Sequence, residues 1–360
     1  TMEHIVYILG SGFSQPLGLP VMSNFWEKAR DLYYDNPDQF PHFKDIVDDN
    51  DRLGKVMTYY DTDLLNIEEI LSILEMEDFL SKDTPLERFT DFIKDTIEAS
   101  TPPAPKPSKW LGQGKMFEPL KGNFPGGLFV DLRWKGYVDF VFSLLRLQLG
   151  VVNVDTDIGQ ISELEASQER SSGRTYAVVT LNYDLVVETI MDIIRVYFRS
   201  RPGGDAVEDT LPLAKLHGSI NGSLVPPTWR KWTSEPLRKA WRSAYAELSK
   251  ATHIRILGYS LPISDTYIRY LFEASVLRSQ RLKRIDIISS DPNGSLDKHY
   301  SKFVPFRGRR FKNANIAGYL NPAPSDVFWR VDTKETPHGK HITAVYDRLE
   351  DWHEKFMRVP

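Results

Sequence analysis

A chain of 360 residues, 41% hydrophobic and 26% charged, has ordinary globular proportions and can bury one large core, or one core with a smaller lobe. A formal net charge of −4 makes no general case for nucleic acid. The absence of cysteine excludes a disulfide scaffold or a four-cysteine metal site and suits a reducing cytoplasm, the expected location. No run approaches the roughly eighteen apolar residues of a membrane span, no signal pattern opens the chain, and Thr1 before Met2 reads as a residue left by expression.

The first predicted element is a strand, Ile5-Val6-Tyr7-Ile8-Leu9, running into Gly10-Ser11-Gly12-Phe13-Ser14. Glycines let backbone N–H groups approach a phosphate, and a helix from Met22-Ser23-Asn24 to Asp31, with Ser23 as N-cap, would aim its positive end there. That order suggests nucleotide binding. The glycines stand as G-x-G, however, and Gly18 falls too late to complete a dinucleotide fingerprint, so a tight turn without a ligand fits this stretch alone equally well.

Residues 35–100 read as mostly helical, from the spacing of Leu64, Leu65, Ile67, Ile70, Leu71 and Leu74, then of Phe89, Phe92, Ile93 and Ile97. Thr101 to Pro107 is too proline-rich for helix or central strand, and 108–130 reads as loop. A helix is expected over Tyr137–Leu149, and a mobile polar connection over Ser162–Arg174.

Four further strand-like runs follow, each ending in small or polar residues. Tyr176–Leu181 ends in Asn182-Tyr183-Asp184, with a helical pattern from Leu185; Pro212–Leu216 ends in His217-Gly218-Ser219. His253–Leu257 ends in Gly258-Tyr259-Ser260, with Ile263-Ser264-Asp265 opening the next helix; Arg284–Ile288 ends in Ser289-Ser290-Asp291. Polar residues where strands hand over to helices lie at the carboxyl edge of a sheet, where open α/β folds bind ligands.

These blocks occur in the order of sirtuin motifs: Gly10 to Ser14 with Gly18-Leu19-Pro20, then Thr180-Leu181-Asn182-Tyr183-Asp184, His217-Gly218 and Gly258-Tyr259-Ser260-Leu261. The chain resembles the sirtuin-like NAD-consuming domains of bacterial antiphage defence systems more than the protein deacylases. Asn66 to Glu75 also looks like a helical segment recurring in that group. The resemblance covers most of residues 1–292, in short blocks.

The resemblance implies that Gly10, Ser11, Gly12, Phe13 and Ser14 cradle the NAD pyrophosphate. Asn182 would hold the nicotinamide ribose and position the attacking group, Asp184 would contact the nicotinamide side, and His217 would be a general base or ribose partner. Gly258 and Ser260 would meet phosphate or adenosine ribose, and Ser290 or Asp291 would flank the adenine end. Cleaving the N-glycosidic bond builds positive charge on the ribose, and histidine titrates in the range a base needs near neutrality. The family's four-cysteine zinc ribbon is impossible here, Leu181 replaces the deacylase glutamine, and Val21-Met22-Ser23 stands where an arginine is usual. Those departures speak against deacylation and leave NAD hydrolysis open.

The expected fold is α/β: a Rossmann-like, mainly parallel sheet with helices on both faces, a helical insertion as a small lobe, and no zinc ribbon. Residues 1–34 and 175–330 would form the NAD-binding core, 35–174 the lobe, and 331–360 a C-terminal helix packing on the core or a partner through Val345, Leu349, Trp352 and Phe356. NAD is the expected substrate and no metal is expected, the nearest histidine pair being His338 and His341. The resemblance implies an abortive-infection effector, switched on by a defence-system partner or by homo-oligomerisation, with no membrane. Two other classes fit part of the chain. One is a silent NAD or ADP-ribose sensor; the other is a structural subunit of a nuclease or helicase assembly, meeting nucleic acid through Lys302 to Lys312. Pro226 to Trp232 reads as a lid or a helix entry.

Overall fold

The computed structural model describes residues 2–57, 59–60, 62–81, 85–106, 131–156, 159–168, 173–197, 199–200, 211–225, 235–262, 265–277, 279, 281–336 and 339–358. The strands in chain order are β1 (Glu3–Leu9), β2 (Leu147–Thr156), β3 (Gly159–Gln168), β4 (Arg174–Thr180), β5 (Arg199–Ser200) and β6 (Leu213–Lys215), then β7 (His253–Leu257), β8 (Arg284–Ser289), β9 (Arg309–Asn313), β10 (Arg330–Thr336) and β11 (Gly339–Val345). The expected loop over 108–130 and lid at Pro226–Trp232 lie outside the described residues, as does His338.

The main sheet runs β6-β4-β1-β7-β8-β9, and every pairing in it is parallel. Counted by appearance within that sheet the order is 3-2-1-4-5-6, that of a Rossmann fold, and it reverses between β1 and β7. All five predicted strand runs lie in it, with the sixth place taken by β9. Helices cover both faces, so strand residues are apolar in either direction. Ile5, Tyr7 and Leu9 join one apolar cluster with the helices Leu132–Leu145 and Val186–Tyr197. Val6 and Ile8 join the other, with Glu235–Lys250, Thr266–Val276 and Ser295–Phe303.

Several expectations change. The helix predicted to Leu149 stops at Leu145, because Arg146 takes a left-handed conformation (φ 54°) that ends it, and β2 follows immediately. Residues 162–168, expected within a mobile connection, lie in β3 instead. With β10, β11 and β5 they make a second, five-stranded sheet, β10-β11-β2-β3-β5, so the insertion is not helical throughout. Nor do its helices Ile67–Ser81 and Leu86–Ser100 form a separate core: Ile70, Leu74, Phe92 and Ile93 belong to the same cluster as Ile5 and Tyr7. The predicted C-terminal helix is the end of β11 followed by the shorter helix Leu349–Arg358.

Within the basic stretch Lys302 to Lys312, residues from Arg309 onward form β9 and make ion pairs. Arg310 makes a two-bond pair with Asp286 (2.6 and 2.8 Å) and reaches Glu354 at 3.0 Å. Arg309 pairs with Asp297. These cations neutralise buried or adjacent carboxylates of the same chain, which removes the simplest support for a nucleic-acid surface there.

Behind the sheet lies a directed hydrogen-bond chain. Arg255 donates to the Tyr7 hydroxyl (2.6 Å), the Tyr7 and Tyr319 hydroxyls are 3.3 Å apart, Tyr319 lies 3.0 Å from His353 Nδ1, and His353 Nε2 lies 2.9 Å from Asp286. The carboxylate accepts only, so the ring carries its proton on Nε2 and Tyr319 donates to Nδ1. Burial, then the Arg255 charge, lowers the His353 pKa to about 4. An unfolded histidine protonates near 6.5, so between those values the unfolded chain binds more protons and stability falls as pH falls. His353 alone is expected to contribute a loss of about 2 kcal/mol between pH 7 and pH 5. Urea midpoints at both pH values should show His353→Gln losing about that much of the slope; an unchanged slope would mean the ring is charged in the fold.

Candidate active site

The sheet ladder continues one residue past several strands, so the connecting loops leave its carboxyl edge side by side. Leu181 N–H donates to Leu9 O (3.0 Å), Gly10 N–H to Leu257 O (3.0 Å), Leu216 N–H to Thr180 O (2.9 Å) and Gly258 N–H to Ile288 O (2.9 Å). The two loops at the strand-order reversal then touch. Gly12 N–H donates to Gly258 O at 2.9 Å, and Gly258 sits at φ +62°, where a Cβ would lie 2.4 Å from the Gly12 carbonyl carbon and 2.5 Å from Phe13 N. Both clashes are with backbone, which has nowhere to move. Gly258→Ala should therefore destabilise by about 2–4 kcal/mol, from left-handed strain plus overpacking. Chemical denaturation checks this, and a loss under about 0.5 kcal/mol, the range of an ordinary surface change, would show that the loops separate freely.

That packing alters the role expected of the glycine loop. The N–H groups of Gly10, Gly12 and Phe13 already donate to Leu257, Gly258 and Gly10 carbonyls, so they do not form a phosphate cradle. The helix after β1 also differs from expectation: a four-residue turn, Ser11–Ser14, comes first, and the long helix is Phe25–Asp35, with Asn24 rather than Ser23 at its cap position. Phe13 is a core residue, edge-on to Tyr137 at 5.2 Å, and Ser14 is a buried support.

A cavity of about 130 Å³ opens beside these loops. Of the residues expected in the site, Gly10, Ser11, Asn182, Asp184, His217 and Ser260 line it. Gly12, Phe13, Ser14 and Gly258 stand behind that lining. Ser290 and Asp291 lie at the end of β8, away from it, and Asp291 accepts from the N–H groups of Leu296 and Asp297 (3.1 and 2.9 Å) to fix the start of the helix Ser295–Phe303. An adenine-flanking role for that pair has no support in this geometry.

Each central side chain is held from its own strand end. Asn182 donates from its side-chain amide to Ser14 Oγ at 3.2 Å, and its backbone N–H donates to Thr180 Oγ1 at 3.1 Å. Asp184 Oδ1 accepts from Val186 N–H at 3.1 Å, so it also caps the helix Val186–Tyr197. His217 is fully covered, and the chain on either side of it is fixed by the Trp241 indole, which donates to Leu216 O at 3.0 Å, and by a turn at Gly218 (φ +83°), where a Cβ would meet Ser223 O at 1.9 Å.

Two lining carboxylates, Glu68 and Asp265, had no site role expected from the sequence. Glu68 sits in the first turn of Ile67–Ser81, a helix start fixed by Asn66, whose side chain accepts from Glu68 N–H (3.0 Å) and Glu69 N–H (3.2 Å). Its Oε1 is 3.6 Å from His217 Nδ1, while Asp265 Oδ1 is 3.5 Å from Nε2. The Tyr259 hydroxyl donates to the other Asp265 oxygen at 2.6 Å. The signal for Glu68 was the Asn-x-Glu-Glu helix start, and for Asp265 its place opening the helix after β7. Among the described residues the buried Tyr183 hydroxyl has no hydrogen-bond partner, and burial, then the Glu68 charge, raises its pKa well above the ordinary value.

Two side-chain triads bring ligand-type atoms within 4.8 Å of one another: Glu68, His217 and Asp265, and Asp286, His353 and Glu354. In the first the carboxylates face opposite ring nitrogens, and in the second Arg310 engages both carboxylates. The first arrangement suits two hydrogen-bonding contacts on opposite edges of one ring, and the second an arginine-centred ion pair, better than one shared ion.

No protein-family model matches this chain, and no curated protein does. Among solved structures it is similar to one described as "Structural Basis for the Mechanism and Regulation of Sir2 Enzymes", at 11% identity over 89% of this chain and 90% of that one, with a TM-score of 0.33. A likeness that loose carries no weight for chemistry, which rests on the cavity itself.

Proposed function

We propose that this chain hydrolyses the N-glycosidic bond of NAD+, releasing nicotinamide and ADP-ribose. The observation that carries this reading is the convergence of Asn182, Asp184 and His217 on one cavity at the carboxyl edge, where the strand order reverses between β1 and β7. The cavity is also acidic. Glu68, Asp184 and Asp265 line it, and no lysine or arginine does among the described residues. Such a site favours a pyridinium ring in the ground state and an oxocarbenium-like ribose in the transition state.

The residues divide the work as follows. Asn182, anchored on Ser14, orients the ribose hydroxyls and the attacking water without titrating. His217 takes a proton from that water as its oxygen bonds to the ribose anomeric carbon, while the bond to nicotinamide breaks and nicotinamide leaves neutral. Asp184 lies on the nicotinamide side, and the Tyr183 hydroxyl offers a donor to the carboxamide. At about 130 Å³ the cavity is below the roughly 300–1,000 Å³ usual for small-molecule sites, so it encloses the reacting end only. The diphosphate would run past the exposed Ser11 and Ser260 at the mouth.

Purified protein incubated with NAD+ should release nicotinamide and ADP-ribose in equal amounts and leave NADH, whose neutral ring is a poor leaving group, intact. Tight NAD+ binding without products, even with a partner present, would favour the sensor instead. The setting proposed from the motif resemblance is an antiphage effector, held low in activity until a partner or oligomerisation switches it on. Among the described residues no helix is long and apolar enough to cross a membrane.

A further inference from the structure

We infer that Asp265 and Glu68 are positioning residues for His217, and that Asp265 fixes the ring in the tautomer whose Nδ1 accepts the proton. The name of the reaction rests on the hydrolase reading above; the tautomer rests on geometry alone. Asp265 Oδ1 lies 3.5 Å from Nε2, and Glu68 Oε1 lies 3.6 Å from Nδ1. Both carboxylates accept only, and a neutral imidazole has one N–H to give. The two acceptors are not equivalent.

Asp265 is the drier and better tethered of the two. Its side chain is 2% exposed against 13% for Glu68, and its far oxygen is held by the Tyr259 hydroxyl at 2.6 Å. Tyr259 is fixed in turn, since Tyr300 donates to its carbonyl at 2.8 Å. A carboxylate taken from water needs a donor more than one that solvent still reaches. The ring N–H therefore goes to Asp265, and the Nδ1 lone pair is left on the Glu68 side. Distances slightly beyond hydrogen-bond range are usual before substrate tightens a site. In this arrangement Glu68 accepts one hydrogen of the attacking water and Nδ1 receives the other, which ties the helix Ile67–Ser81 directly to the reacting centre.

The experiment has two independent arms. Ring nitrogen NMR of histidine-labelled protein, with His217→Gln identifying the signals, should show Nε2 protonated and Nδ1 bare at neutral pH. Asp265→Asn should erase that preference and Glu68→Gln should not. In the kinetic arm, Asp265→Asn should lower kcat on NAD+ by about 10²-fold or more, with KM changed less than a few-fold. It should also move the acid limb of kcat/KM to lower pH, because a carboxylate favouring the imidazolium is gone. The charged and titratable groups around the ring that stay constant are Asp184, Tyr183 and Tyr259, with Glu68 opposite. Glu68→Gln should cost roughly 10-fold. Tyr259→Phe removes only the donor on the far Asp265 oxygen and should give a smaller loss in the same direction, which covers the case of Asp265→Asn failing to fold. A wild-type ring protonated on Nδ1, or a tautomer indifferent to Asp265→Asn, overturns the inference. Protein that holds the tautomer but leaves NAD+ intact overturns the hydrolase reading and leaves the inference standing.

Discussion

His217→Ala is expected to lower nicotinamide release from NAD+ by two to four decades, the usual range for loss of a general base, and Asn182→Ala by a comparable amount. The expectation follows from where the two residues stand. Both project from strand ends into the cavity, yet each is fixed by a different neighbour: His217 by the Gly218 turn and two carboxylates, Asn182 by Ser14. Removing the imidazole leaves the attacking water with no group whose pKa suits it near neutrality. Removing the amide leaves the base but loosens the ribose. The two losses therefore differ in kind: His217→Ala should reduce kcat with NAD+ still bound, and Asn182→Ala should also raise KM. Because His217 is wholly covered, its removal opens a small void, so the melting curve of each variant is needed beside its rate. Wild-type rates in folded His217→Ala would show that the base lies elsewhere.

The architecture was legible to the extent that apolar runs ended in polar punctuation. Each of the five runs from Ile5–Leu9 to Arg284–Ile288 lies in the parallel sheet, because strands covered on both faces must be apolar throughout. β9 escaped detection because its sequence, Arg309-Arg310-Phe311-Lys312-Asn313, is that of an edge strand whose charges find partners on Asp286, Asp297 and Glu354. The hairpin β2–β3 escaped because the preceding helix ends at Arg146, a non-glycine in a left-handed conformation that no composition rule marks.

The site was legible where a residue sits at its own strand end, as Asn182, Asp184 and His217 do. It was not legible where tertiary packing brings residues in. Glu68 is distant in sequence from His217 and reaches it only because the helix Ile67–Ser81 packs on the same cluster as β1. The glycine loop failed differently. Its residues were recognised, but glycine leaves two explanations open, close approach to a ligand or to another backbone, and here Gly12 meets Gly258.

Arg255→Ala is expected to cost about 3–5 kcal/mol, a large share of the roughly 5–15 kcal/mol that holds a typical domain together. Arg255 stands in the middle of β7, between Ile254 and Ile256, with its side chain 2% exposed. It makes two bonds to Glu350, at 2.8 and 2.5 Å, donates to the Tyr7 hydroxyl, and lies 5.4 Å from the Tyr7 ring centre. Burial raises the Glu350 pKa, but the Arg255 charge and hydrogen bonds outweigh it and hold it below the ordinary value. Among the described residues, truncating Arg255 leaves that carboxylate the Tyr176 hydroxyl, 3.0 Å away, as its side-chain donor. The sign of the pH dependence then reverses. In the wild-type chain Glu350 adds stability above the ordinary carboxylate pKa and loses it as pH falls. Without Arg255 its folded pKa rises above the unfolded one, so acidification relieves the penalty and the variant gains stability relative to wild type between about pH 7 and pH 5. Replacing both partners, Arg255→Met with Glu350→Met, should recover most of the loss, because an apolar pair leaves no uncompensated charge. Denaturant midpoints of wild type, single and double variants at two pH values decide the matter. A double variant no more stable than Arg255→Ala would mean that the geometry of the ion pair, rather than the burial of an unpaired carboxylate, holds the helix Leu349–Arg358 to the sheet.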